Sequence, residues 1–301
     1  MDRQNKKEDP GEKKTDFLGE LVKKAEPPKK GATPAYSLIQ VSLESEYDPS
    51  LDGSYYQQIY TEIKYAGSGA FGDVFYVIQN FTKRRYAIKK IKSALPTRYI
   101  YNEVRNNEKV GFHPNLVKYY TAWYEDHNAY MVIEPCQTSL SKFVVDKKDT
   151  LQETLLWDCL LDIGNALQYL HKRSIVHYDV KADNIMILRK SFKLGDFGNI
   201  YDMKEPRHIY RRTVFDSLAD ATIIDRRERS SVDVYEFAQT LSGIIEETRI
   251  TKRVTTKLLV ILSRMKVLIH TSRPSMEQIL NSHDLRPAKR RLEHQLRELY
   301  T

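Results

Sequence analysis

The chain has 301 residues, which is enough for one large domain or two small ones folded by burial alone. Hydrophobic residues make up 41% of it and charged residues 29%, so a wholly disordered or fibrous chain is excluded. The net charge of +8 favours anionic partners, but neither a zinc-finger spacing nor an RNA-recognition motif accompanies it, and we expect no specific nucleic-acid partner.

Cysteine content and hydropathy indicate in which cellular compartment the protein resides. The two cysteines, Cys136 and Cys159, cannot build a disulfide framework, and the first residues contain no apolar core of the kind that a signal peptide needs. These features predict a reducing intracellular compartment. The most apolar late stretch, residues 258–269, is interrupted by Arg264 and Lys266, so we expect no membrane-spanning segment.

Residues 1–58 mix pairs of lysines with Glu, Asp and Pro and show little apolar periodicity. This composition predicts a disordered arm, which is either a solvated leader or a segment for nuclear import or partner docking. From about residue 60 the pattern changes, and residues 59–135 are predicted to form a small lobe of about five strands with one helix. The predicted strands lie at 60–65, 74–78, 86–91, 116–124 and 129–134, and the helix lies at 97–110.

The second half of the sequence has mainly helical patterning. A buried helix of about 20 residues is predicted from Thr150, because Thr150-x-x-Glu153 has the form of a capping box and apolar residues follow at helical spacing. Further helices are predicted at 231–246, 255–268 and 274–281. Residues 136–285 are thus predicted to form a second lobe and residues 286–301 a charged tail, so the predicted fold class is α+β with two lobes.

Residues 67–74 read GSGAFGDV and fit the pattern G-x-G-x-x-G-x-V between two predicted strands. The dinucleotide-binding fingerprint would instead open a helix, so this context predicts a lid over nucleotide phosphates. Glycine suits a lid because bulky side chains would keep backbone N–H groups away from phosphate oxygens. A flexible hairpin is the alternative for the motif alone. The predicted nucleotide-binding residues of this loop are Gly67, Ser68, Gly69, Ala70, Phe71, Gly72 and Val74.

Lys89 lies on the predicted strand at 86–91, where a lysine can reach the α- and β-phosphates of a nucleotide. Such a lysine needs a carboxylate to hold it. Glu103, 14 residues later on the predicted helix, has the appropriate place for that ion pair, and Glu108 is the poorer candidate.

The strongest signal is the segment HYDVKADN at residues 177–184, which precedes an apolar strand and is followed by the Asp-Phe-Gly triplet that begins at Asp196. This spacing serves phosphoryl transfer from ATP. Asp179 would accept or orient a hydroxyl proton, and Lys181 would neutralise the transferring phosphoryl group. Asn184 and Asp196 would hold Mg²⁺ against the phosphates.

With the lid, the lysine and these motifs in this order, the chain resembles the eukaryotic protein kinase family over residues 59–285. Within that family, the segments at 102–114, 119–126 and 134–140 look like the corresponding regions of the Wee1 and Myt1 kinases. Tyr178 also fits the habit of that group, which places a residue other than Arg between the His and the Asp of the catalytic loop.

The resemblance implies a bilobal kinase fold that uses ATP and Mg²⁺. It implies that Ala87 and Ile133 lie against adenine, with backbone groups of Glu134 and Cys136 as hydrogen-bond partners at the hinge. It further implies inhibitory phosphorylation of a Tyr, with the adjacent Thr as a second candidate, in the glycine-rich loop of a cyclin-dependent kinase bound to its cyclin. That reaction would restrain the onset of mitosis or meiosis. By the same analogy we expect a nuclear location in preference to a cytoplasmic one.

The substrate platform of the family is not evident in the sequence. Residues 220–222 read Asp-Ala-Thr where the family has Ala-Pro-Glu, so a Thr replaces the Glu that normally pairs with the late arginine, here Arg273. An unpaired buried Arg273 would be costly, so we expect a carboxylate such as Asp220 or Asp225 beside it, or access to solvent. Residues 249–253 also replace a longer loop and helix of the family, which shortens the docking part of the second lobe.

Two classes of function remain, with a weaker third. The intact Asp179 and Asp196 favour an active kinase of the Wee1/Myt1 type, whereas the degenerate platform favours a nucleotide-binding pseudokinase that regulates a cell-cycle kinase as a scaffold. A stress kinase of the translation-initiation type is disfavoured, because Tyr178 replaces its usual Arg and the small lobe has no long insert. Since Tyr178 cannot counter an activation-loop phosphate, we expect activity without phosphorylation of Tyr210 or Thr213.

Overall fold

The first part of the described chain is an antiparallel sheet of five strands, as predicted. The computed structural model describes residues 47–69, 72–91, 97–204, 226–248, 250 and 254–285. The strands are β1 Tyr60–Ser68, β2 Gly72–Gln79, β3 Arg85–Ile91, β4 Tyr119–Glu125 and β5 Asn128–Ile133. Their order across the sheet is β1-β2-β3-β5-β4, so β3, which carries Lys89, lies at its centre.

Two helices accompany the sheet, α1 (Tyr55–Ile59) and α2 (Thr97–Val110). Helix α2 has the predicted bounds. It is followed at once by Gly111, whose φ of +70° is the left-handed conformation in which glycine ends many helices. The sheet and helix therefore form the predicted small lobe, with one short helix added at its start.

The strand register aligns the residues of the predicted site. Val74 on β2 pairs with Lys89 on β3, and Ala87 on β3 pairs with Ile133 on β5. Side chains two residues apart on a strand lie on the same face, so Ala87 and Lys89 point to one side of the sheet. At the start of β2, a Cβ on Gly72 would lie 2.3 Å from the Lys90 carbonyl oxygen, so only glycine fits there.

The last residues of the predicted arm form a helix that packs on the sheet. Ser54 forms a capping box at the start of α1, and the Tyr56 N–H donates to Glu125 Oε1 over 2.8 Å. The Tyr56 ring stacks on that of Tyr130, with centroids 4.9 Å apart. The prediction of a disordered arm ending at residue 58 is therefore wrong at its end, because α1 packs on the sheet. Residues 1–46 of that arm lie outside the described residues.

The second lobe is built mainly from helices, as predicted. Its helices are α3 Leu140–Lys147, α4 Glu153–Lys172, α5 Arg226–Glu247, α6 Thr256–Met265 and α7 Met276–Leu280. Helix α4 has 20 residues, and Leu156, Leu160, Ile163, Leu167 and Leu170 of it are fully buried. These residues recur every three or four positions, which places them on one face of the helix against the core.

Short strands in the second lobe carry the polar loops of the site. They are β6 Thr138–Ser139, β7 Ile175–Val176, β8 Ile185–Leu188, β9 Ser191–Leu194 and β10 Tyr201–Asp202. Strand β8 pairs with both β6 and β9, and β7 pairs with β10. The segment between β7 and β8 is thereby held at both ends, as is the segment between β9 and β10.

The capping box predicted at Thr150 is wrong. The residue that caps α4 is Gln152, and its side chain makes no capping hydrogen bond. Residues 148–150 form a single turn of 3₁₀ helix, so the Thr150 hydroxyl donates instead to the Lys147 carbonyl over 3.3 Å. Glu153 accepts hydrogen bonds from Trp157 Nε1 and from the Thr255 hydroxyl. Residues 150–153 have the sequence of a capping box, but the Thr150 hydroxyl binds the nearby Lys147 carbonyl instead of a helix N–H.

The late part of the chain differs in detail from the prediction. Helix α6 ends at Met265, three residues before the predicted end, and the side chains of Leu268 and Ile269 beyond it are exposed. The predicted tail at 286–301 lies outside the described residues. Across the part of the chain that the structure describes, no helix combines the length and apolar character needed to cross a bilayer.

Candidate active site

The predicted ion pair between Lys89 and Glu103 is present. Lys89 Nζ on β3 donates to Glu103 Oε1 on α2, and the two side chains are only 13% and 6% exposed. Burial alone would lower the pKa of Lys89, but Glu103, with Asp196 close behind it, raises it. Glu108, the poorer candidate, lies on the exposed side of α2. The central strand therefore presents a fixed, charged lysine.

Two further polar residues follow Glu103 on the same face of α2, at intervals of three. Asn106 Nδ2 donates to the carbonyl of Phe197 over 2.8 Å and to that of Gly198 over 3.3 Å. Lys109 Nζ lies 2.7 Å from Asp202 Oδ2 on β10. One helical face thus holds the lysine, the Asp-Phe-Gly backbone and the strand after it. Neither residue could be identified from the sequence, because their partners lie more than 90 positions away.

The loop between β7 and β8 brings together the residues predicted for catalysis. The Asp179 carboxylate accepts hydrogen bonds from Lys181 Nζ at 2.9 Å and Asn184 Nδ2 at 3.0 Å. Asn199, just after the Asp-Phe-Gly triplet, is a third donor to it at 3.4 Å. The carbonyl of Asn184 in turn accepts from the N–H of Gly195, the residue before Asp196. The two predicted metal-binding residues are therefore on loops joined by a backbone hydrogen bond.

The Asp-Phe-Gly triplet turns through a left-handed residue. Asp196 has φ +59°, and its Oδ1 accepts from the Gly198 N–H at 3.3 Å. Phe197 is buried, with its ring 5.6 Å from that of His177 in an edge contact. Because the phenyl ring fills the core, the Asp196 carboxylate remains on the side of Lys89, whose pKa it raises.

Helix α5 holds the catalytic loop through hydrogen bonds to its backbone. The fully buried carboxylate of Asp233 accepts from the backbone N–H groups of His177 at 2.9 Å and Tyr178 at 2.8 Å. His171 Nε2 on α4 lies 2.8 Å from the same carboxylate. Tyr178 has φ +60°, which is unusual for a bulky residue, so the loop depends on these hydrogen bonds for its shape.

A second buried carboxyl group on α5, Glu236, also contacts this loop. Its Oε2 accepts from the Val180 N–H at 3.0 Å, and the residue is 7% exposed. Burial raises the pKa of Glu236 to about 8, and the nearby Asp233 adds to the rise. No motif in the sequence had pointed to it.

Tyr178 lies between His177 and Asp179, and the guanidinium group near it comes from Arg229 of α5. Its ring is 6.0 Å from that of Tyr201 on β10, and the Arg229 guanidinium of α5 lies 4.8 Å from the centre of the Tyr201 ring. Burial raises the pKa of Tyr178, and a hydrogen bond from Arg229 opposes that rise. The two tyrosines and the arginine thus join the catalytic loop, β10 and α5.

The glycine-rich lid and the hinge lie on the sheet side of the site. Gly67, Ser68, Gly69, Gly72 and Val74 are described, and the Gly69 N–H donates to the Gly72 carbonyl at 2.8 Å. The lid residues Ala70 and Phe71 lie outside the described residues.

At the hinge, the Cys136 N–H donates to the Glu134 carbonyl at 3.0 Å, and the Tyr76 hydroxyl donates to the Cys136 carbonyl. Tyr76 could not be identified from the sequence, because its partner is 60 positions away. An adenine bound as predicted at Glu134 and Cys136 would replace the hydrogen bond between those two residues.

Arg273, expected to need a carboxylate or solvent, has neither among the described residues. It is 8% exposed, and its guanidinium donates to the carbonyls of Ser231 at 2.6 Å and Val267 at 2.8 Å. Its guanidinium also lies 4.8 Å from the centre of the Tyr235 ring. Among the described residues, backbone carbonyls therefore satisfy its donors. Residues 220–225, which include the proposed partners, lie outside the described residues.

A family model for the protein kinase domain matches residues 60–235, which is more than half of the chain. This match covers the sheet, α2, the catalytic loop, the Asp-Phe-Gly triplet and the first part of α5. The chain belongs to the protein kinase family.

Its relatives include kinases of the Wee1 group, which confirms the predicted resemblance. It is 30% identical over 204 residues to a membrane-associated tyrosine- and threonine-specific cdc2-inhibitory kinase of Caenorhabditis elegans, covering 66% of this chain and 30% of that protein. It is 36% identical over 151 residues to a Wee1-like protein kinase of Arabidopsis thaliana, covering 48% of this chain and 30% of the relative. It is also 36% identical over 151 residues to a Wee1-like protein kinase 2-A of Xenopus laevis, covering 48% of this chain and 27% of that protein. The chain thus matches less than a third of the length of each of these relatives.

The contacts of Asn106 predict a role in nucleotide binding. Replacing Asn106 by Ala removes the donors to the Phe197 and Gly198 carbonyls, and Asp196 should then be held less well. We expect Mg-ATP to bind up to about 30-fold more weakly by calorimetry, since each of the two lost hydrogen bonds is worth about 1 kcal/mol. The matched control is Asn102→Ala on the same helix. Equal affinities of these two variants for Mg-ATP would contradict the prediction.

The raised pKa of Glu236 predicts a pH-dependent stability. In the unfolded chain Glu236 ionises near pH 4.5, whereas in the folded chain it keeps its proton until about pH 8. The contribution of Glu236 to the free energy of unfolding is therefore complete below pH 4.5. It is lost as the pH rises toward 8, by at most about 1.4 kcal/mol per pH unit. Glu236→Gln abolishes this loss, so its Tm relative to the unmodified protein should rise between pH 5 and pH 8. Glu246→Gln, on the exposed side of the same helix, should follow the unmodified protein; a Glu236→Gln curve parallel to it would exclude the effect.

Proposed function

We propose that this chain is an active protein kinase that transfers the γ-phosphoryl group of ATP, with Mg²⁺, to a Tyr hydroxyl of a cyclin-dependent kinase. The glycine-rich loop of that kinase, with its adjacent Thr, is the proposed target, and its modification would restrain the cell cycle. The observation that carries the proposal is the arrangement of Lys89, Asp179, Asn184 and Asp196 around one site. The nematode relative is a cdc2-inhibitory kinase, and this supports the choice of target.

The residues of the site fit Mg-ATP. Asn184 and Asp196 offer amide and carboxylate oxygens, the ligands that Mg²⁺ prefers, and Lys89 offers a fixed positive charge to the α- and β-phosphates. Bound Mg-ATP would supply the phosphoryl group and much of the charge that stabilises its transfer. The chain itself would position the reactants.

Asp179 is the residue proposed to orient the acceptor hydroxyl and take its proton. Its carboxylate is held by Asn184 Nδ2, and this contact limits the directions of the remaining acceptor positions. Lys181 is half exposed and only 2.9 Å away, so it can move to the transferring phosphoryl group. Such positioning is the main contribution that a kinase makes to transfer.

The site makes a second candidate, the nucleotide-binding pseudokinase, less favourable. That candidate rested on the degenerate platform at 220–222, which lies outside the described residues. The phosphate-handling residues in the described part keep both their identity and their contacts. The pseudokinase is therefore the alternative outcome of the test below.

The experiment is phosphosite mass spectrometry on a catalytically dead cyclin-dependent kinase bound to cyclin, incubated with Mg-ATP and this protein. We expect phosphate on the glycine-loop Tyr or Thr with the unmodified protein, and none with Asp196→Asn or Asp179→Asn. The matched control is Asp183→Asn, which makes the same change in the same loop at an exposed residue bonded to Ser141. Absence of transfer to this substrate and to the protein itself, despite stabilisation by Mg-ATP, would support the pseudokinase.

The contacts of Tyr178 predict that activity does not depend on activation-loop phosphorylation. Arg229, Tyr201 and the pair of Lys109 with Asp202 hold the start of the activation segment without a phosphate. The double variant Tyr210→Phe/Thr213→Ala should therefore keep a rate of transfer close to that of the unmodified protein. A large loss of rate in this variant, or after phosphatase treatment, would refute the prediction.

A further inference from the structure

The residue after the proposed catalytic aspartate is held on both sides of its backbone by helix α5. The Val180 N–H donates to Glu236 Oε2 at 3.0 Å, and the Thr240 hydroxyl lies 3.0 Å from the Val180 carbonyl oxygen. The same hydroxyl lies 2.9 Å from the Glu236 carbonyl, within its own helix. Val180 is itself buried, so an N–H left without a partner there would be costly.

These contacts extend the hold that Asp233 has on the preceding residues. Asp233, Glu236 and Thr240 are spaced by three and four positions, so they lie on one face of α5. Asp233 binds the two N–H groups before Asp179, and the other two residues bind the backbone after it. Asp179 is thus fixed between two anchors on one rigid helix.

The conformation of the loop explains why one anchor is not enough. Tyr178, directly before Asp179, adopts a left-handed conformation with φ +60° that a tyrosine rarely occupies. Such a residue keeps its conformation only when its surroundings determine it from both sides. Asp233 supplies the hold on the N-terminal side, and Glu236 supplies it on the C-terminal side.

We propose that Glu236 is a positioning residue for phosphoryl transfer, which acts through the Val180 N–H to keep the Asp179 carboxylate aimed at the acceptor hydroxyl. This inference rests on the proposed function. It assigns no contact with substrate or nucleotide to Glu236.

The charges around Glu236 agree with such a role. Asp233 on its own helix and Asp179 in the loop repel an ionised carboxylate there, Lys181 attracts it, and His171 faces Asp233 from α4. At neutral pH the carboxyl group therefore keeps its proton, and its carbonyl oxygen accepts from Val180 without adding a charge beneath the catalytic loop. Glutamine, which offers the same acceptor without an ionisable proton, should replace it.

The test compares Glu236→Gln with Glu236→Met, two side chains of similar length of which only Gln retains the acceptor. We expect Met to lower kcat for transfer to the cyclin-dependent kinase about 10- to 100-fold, the usual result of misplacing a catalytic group, with KM for ATP little changed. Gln should restore most of the rate. Glu246→Met, on the exposed side of the same helix, is the control and should leave kcat unaltered. Equal kcat in the Gln and Met variants would overturn the inference.

Amide hydrogen exchange provides a readout that needs no substrate. Peptides that contain residues 177–184 should exchange faster in Glu236→Met than in Glu236→Gln or the unmodified protein, and unchanged exchange would refute the inference whatever the activity. If the unmodified protein transfers no phosphate but Met still raises exchange, the proposed function fails and the anchor stands. If the Met variant does not fold, Thr240→Val, which keeps the side-chain shape, tests the contact of the Thr240 hydroxyl with the Val180 carbonyl. We expect it to lower kcat with KM unchanged, and an unaltered kcat would count against the inference.

Discussion

The buried carboxylate of Asp233 is the interaction on which the rest of the site depends. It is fully enclosed, and it accepts the N–H groups of His177 and Tyr178 while His171 contacts it from the neighbouring helix. A buried charge is tolerated only when such donors surround it, and here the donors belong to the loop that carries Asp179. The same hydrogen bonds therefore stabilise the second lobe and determine the geometry of the catalytic loop.

A series of backbone and side-chain hydrogen bonds connects Asp233 to the small lobe. The Gly195 carbonyl accepts from His177, and Gly195 in turn donates to Asn184, which fixes the Asp-Phe-Gly triplet beside the catalytic loop. Asn106 then ties that triplet to α2, and Glu103 on the same face ties α2 to Lys89. The lysine of the sheet and the aspartate of the helical lobe are thus connected by a continuous chain of polar contacts.

The sequence predicted the elements and residues whose signal is local. The strands of the sheet and the bounds of α2 followed from short aromatic and branched runs and from helical spacing, and the pair of Lys89 with Glu103 followed from motif spacing. Asn106, Tyr76 and Glu236 were missed because each binds a backbone group more than 50 positions away, which leaves no periodic trace. The error at Thr150 has the opposite cause: the local pattern was present, but a neighbouring carbonyl competed for the hydroxyl.

The way in which Arg273 is satisfied has a consequence for how this sequence can change. Its guanidinium is bound by the carbonyls of Ser231, Val267 and Leu268, atoms that every amino acid possesses. In a kinase that pairs this arginine with a glutamate, the two residues must be inherited together, because loss of either leaves a buried group unmatched. Here Arg273 is bound by backbone oxygens, so substitutions at Ser231, Val267 or Leu268 that keep the backbone in place would leave its guanidinium bound.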